Sequence, residues 1–184
     1  DGDASVKRGG GAIQSNEQLL KAVRKANPEA FIVFKPHPDV VTGNREGSIT
    51  AETVKTCTNL IVTSGSLNDF WPYVDEVHTL TSLSGFEALL RHKKVVTYGK
   101  PFYAGWGLTT DYSVEKRKGI ALTLRELIAG VMILYPKYWD WKTSCVCRPE
   151  DVCYRILRKE QPEVGLWIKV CRIAKVVRRV LSRK

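Results

Sequence analysis

"DEVHTLTSLSGFEALLRHKKVVTY", residues 75–98, decides how this chain is read. It begins with a stretch of strand period (75–80) and crosses a polar loop carrying Thr81, Ser82, Ser84 and Gly85. It then takes up helical spacing over 84–92 and closes on "KVVTY" (94–98), a second strand. Two strands joined by a short helix form the crossover unit of a parallel sheet.

Working outward, the same alternation repeats. "SNEQLLKAVRKANP" (15–28) predicts a helix capped by Ser15, with Leu19, Leu20 and Val23 on one face. "AFIVF" (30–34) is a continuous apolar run of the kind buried on both faces of a parallel sheet. A short helix within 50–58 and a strand at "NLIVTS" (59–64) follow. "LTLRELIAGVMILYP" (122–136) predicts a helix ending at Pro136, and its "IAGVMILYP" portion reads as core. The expected class is α/β, a Rossmann-like doubly wound sheet. The expected organisation is a domain over 1–140, an irregular connection over 141–164 (the irregular stretch beginning near 137), and a basic amphipathic helix over 165–184.

A chain of 184 residues, 43% hydrophobic and 26% charged, is long enough for one domain with a real core. It holds no apolar run of the roughly 20 residues that a membrane span needs. Its first residues are polar and Gly-rich, unlike a signal peptide. The net charge of +10 at first suggests nucleic acid. Residues 165–184, however, hold seven basic and no acidic side chains, leaving 22 basic against 19 acidic elsewhere. The body is nearly neutral, so no nucleic-acid partner is expected. Five cysteines, an odd number, suit reduced thiols in a cytoplasmic protein. Cys145, Cys147 and Cys153 lie close together, but the nearest histidine, His92, is 53 residues from Cys145. A four-ligand zinc set is therefore not expected, and neither a metal nor a cofactor is assigned.

In open α/β sheets, ligands bind beyond the carboxyl ends of the strands. Two loops fall there. In "SLSGFEALL", Ser82 and Ser84 offer hydroxyl donors, and Gly85 lets a phosphate approach the backbone closely. The same segment also reads without a ligand, because Ser84 and Glu87 fit the capping box S-x-x-E. In "KPHP", flanking prolines hold His37 rigidly, with Pro38 after it and Lys35 two residues before, an arrangement suited to a phosphate. His78 and His92 read as ordinary, one alternating along a strand and one ending a helix. The loop "YGKPFYAGWGLTTD" (98–111) reads either as a pocket wall built from Phe102, Tyr103 and Trp106 or as a packing plug.

"KPHPDVVTGNREG" (35–47), "VHTLTSLSGFEALL" (77–90) and "GKPFYAGWGLTTD" (99–111) together resemble the capsule-polysaccharide Kdo transferases of the KpsC (LipA) type, over about residues 1–140. That resemblance implies a retaining β-Kdo glycosyltransferase using CMP-Kdo as donor. It further implies synthesis of the poly-Kdo linker of bacterial capsule polysaccharide on a lysophosphatidylglycerol anchor. The architecture implied is GT-B, two Rossmann-like halves with the active site between them, this chain matching the C-terminal, donor-binding half. By the family's motifs, His37 and Pro38 match its His-Pro pair, Ser82 and Ser84 match its paired serines, and Glu87 would accept from the ribose hydroxyls. The catalytic carboxylates are expected in the other half. "DGDAS" (1–5) resembles the entry segment of the donor half, and the chain starts at Asp1 rather than Met. The chain is thus expected to be a fragment that binds donor without transferring it.

At 100° per residue, Leu166, Trp167, Val170, Ile173, Ala174, Val177, Val180 and Leu181 share one face of the tail. Lys169, Arg172, Lys175, Arg178 and Arg179 fill the opposite one. A basic helix with Trp on its apolar side is the pattern of an interfacial helix on an anionic surface, here the cytoplasmic face of the inner membrane. A terminal helix packed on the body is the plainer alternative. The function expected is therefore an enzyme half acting with a glycolipid acceptor and other capsule assembly and export proteins. The alternative is a non-catalytic, membrane-associated module of capsule assembly.

Overall fold

The computed structural model describes residues 9, 11–36, 49–113 and 117–160. His37 and Pro38 lie outside the described residues, as does the tail with Trp167, Lys169, Arg172, Lys175, Arg178 and Arg179. The chain divides into two compact units, 1–127 and 128–184.

In the first unit, α1 (Asn16–Ala26) starts where the sequence places it, with the Ser15 hydroxyl accepting from the Gln18 N–H at 3.1 Å. Its buried face is Leu19, Leu20 and Val23. Strand β1 (Val33–Phe34) pairs in parallel with β2 (Leu60–Ile61), and α2 (Ala51–Cys57) lies between them in sequence. Glu17 ties the two helices together, accepting from the Thr53 hydroxyl at 2.8 Å. Leu19, Leu20, Val23, Ile32, Cys57, Leu80, Val96 and Tyr98 form one core cluster.

Only one side of β1 reaches that core. Ile32 is buried, whereas Phe31 is 72% and Val33 40% exposed, so the expectation of burial on both faces fails. An apolar run specifies extended backbone, but whether its second face is covered depends on a layer supplied from elsewhere in the chain.

The quoted stretch folds as a β–α–β unit, its helix ending at Leu89 instead of 92. Strand β3 (Glu76–Thr79) leads through Ser82 into α3 (Leu83–Leu89), and β4 (Lys94–Thr97) returns parallel to β3 with Val77 opposite Val95. His92 takes the left-handed conformation (φ 56°), and the His92 and Lys93 N–H groups close the helix on the Leu89 and Ala88 carbonyls. A two-residue strand, β5 (Thr110–Asp111), adds in parallel to β4. Helix α4 (Leu124–Ile128) follows, with Glu126 and Thr123 capping one another reciprocally. The parallel ladders make this unit mixed α/β, as expected.

The second unit departs from the sequence reading in two ways. After α4 the backbone widens into a π-helical turn, Ala129–Leu134, and Met132, Ile133, Leu134 and Tyr135 are exposed instead of lying in a core. The stretch expected to be irregular forms a hairpin and a helix: β6 (Tyr138–Asp140) pairs antiparallel with β7 (Cys145–Cys147), and α5 spans Pro149–Leu157. Asp140 organises the hairpin. Its carboxylate accepts from the Lys142 N–H at 2.9 Å inside the turn and from the Arg155 guanidinium of α5 at 2.9 Å. Both neighbours hold the Asp140 carboxyl well below its usual range, at about 2.

Candidate functional site

The loop between β3 and α3 sits at the carboxyl end of its strand, and its geometry starts from Ser82. Ser82, not Ser84, is the N-cap: its hydroxyl accepts from the Ser84 N–H at 3.2 Å and donates to the Ser84 hydroxyl at 3.0 Å. The Ser82 N–H in turn donates to the Thr79 hydroxyl at 3.2 Å. Ser84 therefore lies inside the helix, and the Ser84–Glu87 capping box does not form. This leaves the Glu87 carboxylate, half-buried one turn into α3, without a hydrogen bond or ion pair among the described residues. Because Ser82 spends its proton on Ser84, the Ser84 hydroxyl is the open donor of the pair, available to a phosphate, and the free carboxylate one turn on is an acceptor for a polyol.

Beneath the loop stands Tyr103. Expected as part of a pocket wall, it is instead fully buried, and its hydroxyl donates to the Ser82 carbonyl at 2.5 Å. Burial pushes the Tyr103 phenol far above its ordinary value, so it remains a donor. Gly85 is the counterpart. A Cβ there would come within 2.7 Å of Tyr103 Cζ, and the Gly85 N–H already donates to the Ser82 carbonyl at 3.2 Å. The missing side chain at position 85 makes room for a phenol ring rather than for a phosphate. Phe86, Phe102 and Tyr103 pack together, with the Phe102 and Tyr103 rings edge-to-face at 5.1 Å. Phe102 keeps an open face, being 42% exposed. Trp106 is covered by the Arg117 guanidinium at 4.9 Å.

Asp111 holds this aromatic loop shut. Its carboxylate accepts from Thr97 Oγ1 at 2.6 Å, Thr109 Oγ1 at 2.7 Å and the Gly105 N–H at 2.9 Å. Of the two readings left open for residues 98–111, the packed plug describes Tyr103 and Ala104.

Two further segments, outside the sequence motifs, border these loops. Gly9 meets the same edge: its carbonyl accepts from the Lys100 N–H at 2.6 Å, and a Cβ on Gly99 would stand 2.7 Å from both the Gly9 and the Leu80 carbonyls. Gly9, legible as a close-approach signal, thus lies beside Thr81, where a Cβ on it would stand 3.0 Å from the Thr81 methyl. The second is "TSGSLND" (63–69), after β2. There Ser66 and Asp69 form a capping box, and Lys35 Nζ donates to the Gly65 carbonyl at 2.9 Å. Lys35 stands at the carboxyl end of β1, as expected, with its amine spanning to this loop. His78 is half-buried in β3, between Glu76 at 2.9 Å and the Tyr98 hydroxyl at 3.2 Å, and burial depresses its pKa.

Residues 1–138 match the family described as capsule polysaccharide biosynthesis protein. The capsule polysaccharide modification protein LipA of Neisseria meningitidis serogroup A is 44% identical over 158 residues, 86% of this chain and 22% of that protein. The lipopolysaccharide-processing protein LpsZ of Rhizobium meliloti is 41% identical over 74% of this chain and 31% of its own length. Among solved structures, the Thermosulfurimonas dismutans KpsC β-Kdo 2,7 transferase superposes with a TM-score of 0.75 at 43% identity, covering 86% of this chain and 50% of that one. The β-Kdo 2,4 transferase of the same organism gives 0.64 at 31% identity, over 83% and 45%. The chain therefore spans about a fifth of LipA and half of each KpsC chain. Three-quarters of its length lies within one family match, and the chain belongs to the capsule polysaccharide biosynthesis proteins of the KpsC/LipA family.

Proposed function

We propose that this chain is the donor-binding half of a CMP-Kdo-dependent β-Kdo transferase that builds the linker of a capsule polysaccharide. The observation that carries this reading is the β3–α3 loop: Ser82 and Ser84 present hydroxyls beside an uncommitted Glu87 carboxylate, in a chain 43% identical to a β-Kdo 2,7 transferase. In this reading the Ser84 hydroxyl donates to the CMP phosphate, Ser82 joins it by turning its proton from Ser84 to the phosphate, and Glu87 accepts from the ribose. Charge-assisted bonds of this kind contribute about 1.5–3 kcal/mol each, so three or four suffice for roughly micromolar affinity after ordering costs. His37, Pro38 and Lys35 complete the donor side, and no metal or cofactor takes part.

The architecture proposed is the C-terminal half of a GT-B enzyme, since the KpsC chains matched are about twice the length covered here. The groups that attack or stabilise the anomeric carbon then belong to the other half. A glycolipid on lysophosphatidylglycerol is the acceptor, and the basic tail holds the enzyme peripherally on the cytoplasmic face of the inner membrane among capsule assembly and export proteins. Among the described residues, no helix is long and apolar enough to cross a membrane.

The test is transfer of radiolabelled Kdo from CMP-Kdo to a Kdo-primed glycolipid. The 184 residues alone are expected to bind donor and yield no product; product from them alone would contradict the half-enzyme reading. A non-catalytic capsule module would bind no CMP at all.

A further inference from the structure

Met132, Ile133, Leu134 and Tyr135 are 42%, 53%, 80% and 89% exposed, a run of four consecutive large apolar side chains facing solvent. Four residues on, Trp139 is 55% exposed, and its cross-strand partner Val146 is 68% exposed. Such runs are avoided on free surfaces and mark places where something binds. This one is built rather than frayed. The Tyr135 N–H closes the π-helical turn on the Gly130 carbonyl at 2.9 Å, and the Tyr138 hydroxyl fastens the Met132 carbonyl at 2.5 Å. The backbone is thereby held while the side chains point outward, a preorganised surface.

We infer that this apolar knob is the docking surface for the complementary half of a KpsC-length chain, the portion that these 184 residues do not span. The inference rests on the half-enzyme reading and names the surface that joins the halves. Two observations select this occupant. The KpsC structures that superpose on this chain are covered only to 50% and 45%, so a polypeptide of similar size accompanies the equivalent fold there. The knob also has the chemistry of a protein interface core. "IAGVMILYP" (128–136) carries no charge, and Met, Tyr and Trp stand where interface cores are enriched in them. A lipid-surface anchor would instead interleave its apolar residues with Lys and Arg.

The experiment uses this chain and, as a separate polypeptide, the half of the Thermosulfurimonas dismutans β-Kdo 2,7 transferase that it does not match. Association is measured by sedimentation and calorimetry for wild type, Leu134→Asp, Tyr135→Ser and, as a control off the knob, Leu157→Asp. The expected result is a one-to-one complex weakened about 30-fold or more by Leu134→Asp, as for an interface hot spot, and unaffected by Leu157→Asp. Because Leu134 is exposed, its variant should melt with wild type, so weakened association will not reflect misfolding. Absence of a wild-type complex overturns the inference, as does a complex indifferent to Leu134→Asp. Vesicle binding or self-association that Leu134→Asp abolishes would also overturn it, by assigning the knob to lipid or to a second copy. CMP binding by the chain alone, read in parallel, separates the two ideas: CMP binding without association sinks only the docking surface, and association without CMP binding sinks only the donor-site reading.

Discussion

The Tyr103 hydroxyl reaches the Ser82 carbonyl at 2.5 Å from directly beneath Gly85, so a fully buried phenol sets the height of the loop that carries both serines. Ser82 receives support from below through this bond and from β3 through Thr79. The position of the candidate donor loop is thus decided by buried side chains beneath and behind it.

Removing that bond has a bounded effect. Tyr103→Phe keeps the ring and its packing on Phe86 and Phe102 but leaves the Ser82 carbonyl with only the Gly85 N–H. Loss of one buried hydrogen bond should lower stability by about 1–1.5 kcal/mol in urea titrations. An unchanged midpoint would show that the phenol is not holding the loop.

Gly85→Ala puts a methyl against the same ring, and overpacking of this kind costs about 1–3 kcal/mol. The cost should depend on Tyr103. In a Tyr103→Leu background, the further penalty of Gly85→Ala should drop below about 1 kcal/mol, because the clashing phenol is gone. Additive penalties would place the conflict elsewhere.

Asp111 gathers two hydroxyls and one amide around a single carboxylate, and satisfied networks of this kind rigidify the loops they join. Asp111→Ala is expected to cost about 2–3 kcal/mol and to raise hydrogen exchange at the Gly105 amide. Exchange at Gly105 as slow as in wild type would show that another contact closes the loop.

Acid should act on the hairpin unit through Asp140. Its folded pKa, about 2, lies below the unfolded value of about 3.9, so the unfolded state binds the proton first as pH falls. The stabilisation is complete above about pH 4 and is lost as pH drops toward about 2. Asp140→Asn should remove that part of the acid dependence, read from thermal melts across this range. A variant with the wild-type pH profile would rule out Asp140 as its source.

Much of this fold was legible because its signals are local. Ser15 before "NEQLL" and the strand–loop–helix–strand succession of 75–98 each specify their elements from neighbouring residues alone. The hairpin at 138–147 carries recognisable signals, Asp140 before a tight turn and "PED" opening α5, but its strands of 3 residues each are too short for alternation to show. What could not be read locally depends on distant partners. Glycine at 85 suggested room for a ligand, and only Tyr103, 18 residues on, shows what fills that room. Likewise the S-x-x-E spacing of Ser84 and Glu87 suggested a closed cap, whereas the helix starts two residues earlier and releases the carboxylate.

Donor binding turns on that released carboxylate. The most direct test is calorimetric titration of CMP, with UMP and GMP as controls, into the wild-type chain and into Glu87→Gln and Ser84→Ala. Glu87 makes no hydrogen bond or ion pair among the described residues and the Ser84 hydroxyl accepts only an exposed bond from Ser82, so both variants should melt close to wild type. Selective CMP binding, weakened about tenfold or more by each substitution, is the predicted result and corresponds to one lost charge-assisted bond apiece. CMP binding that ignores both substitutions, or a folded wild type that binds no CMP, would contradict the assignment of this loop to the donor.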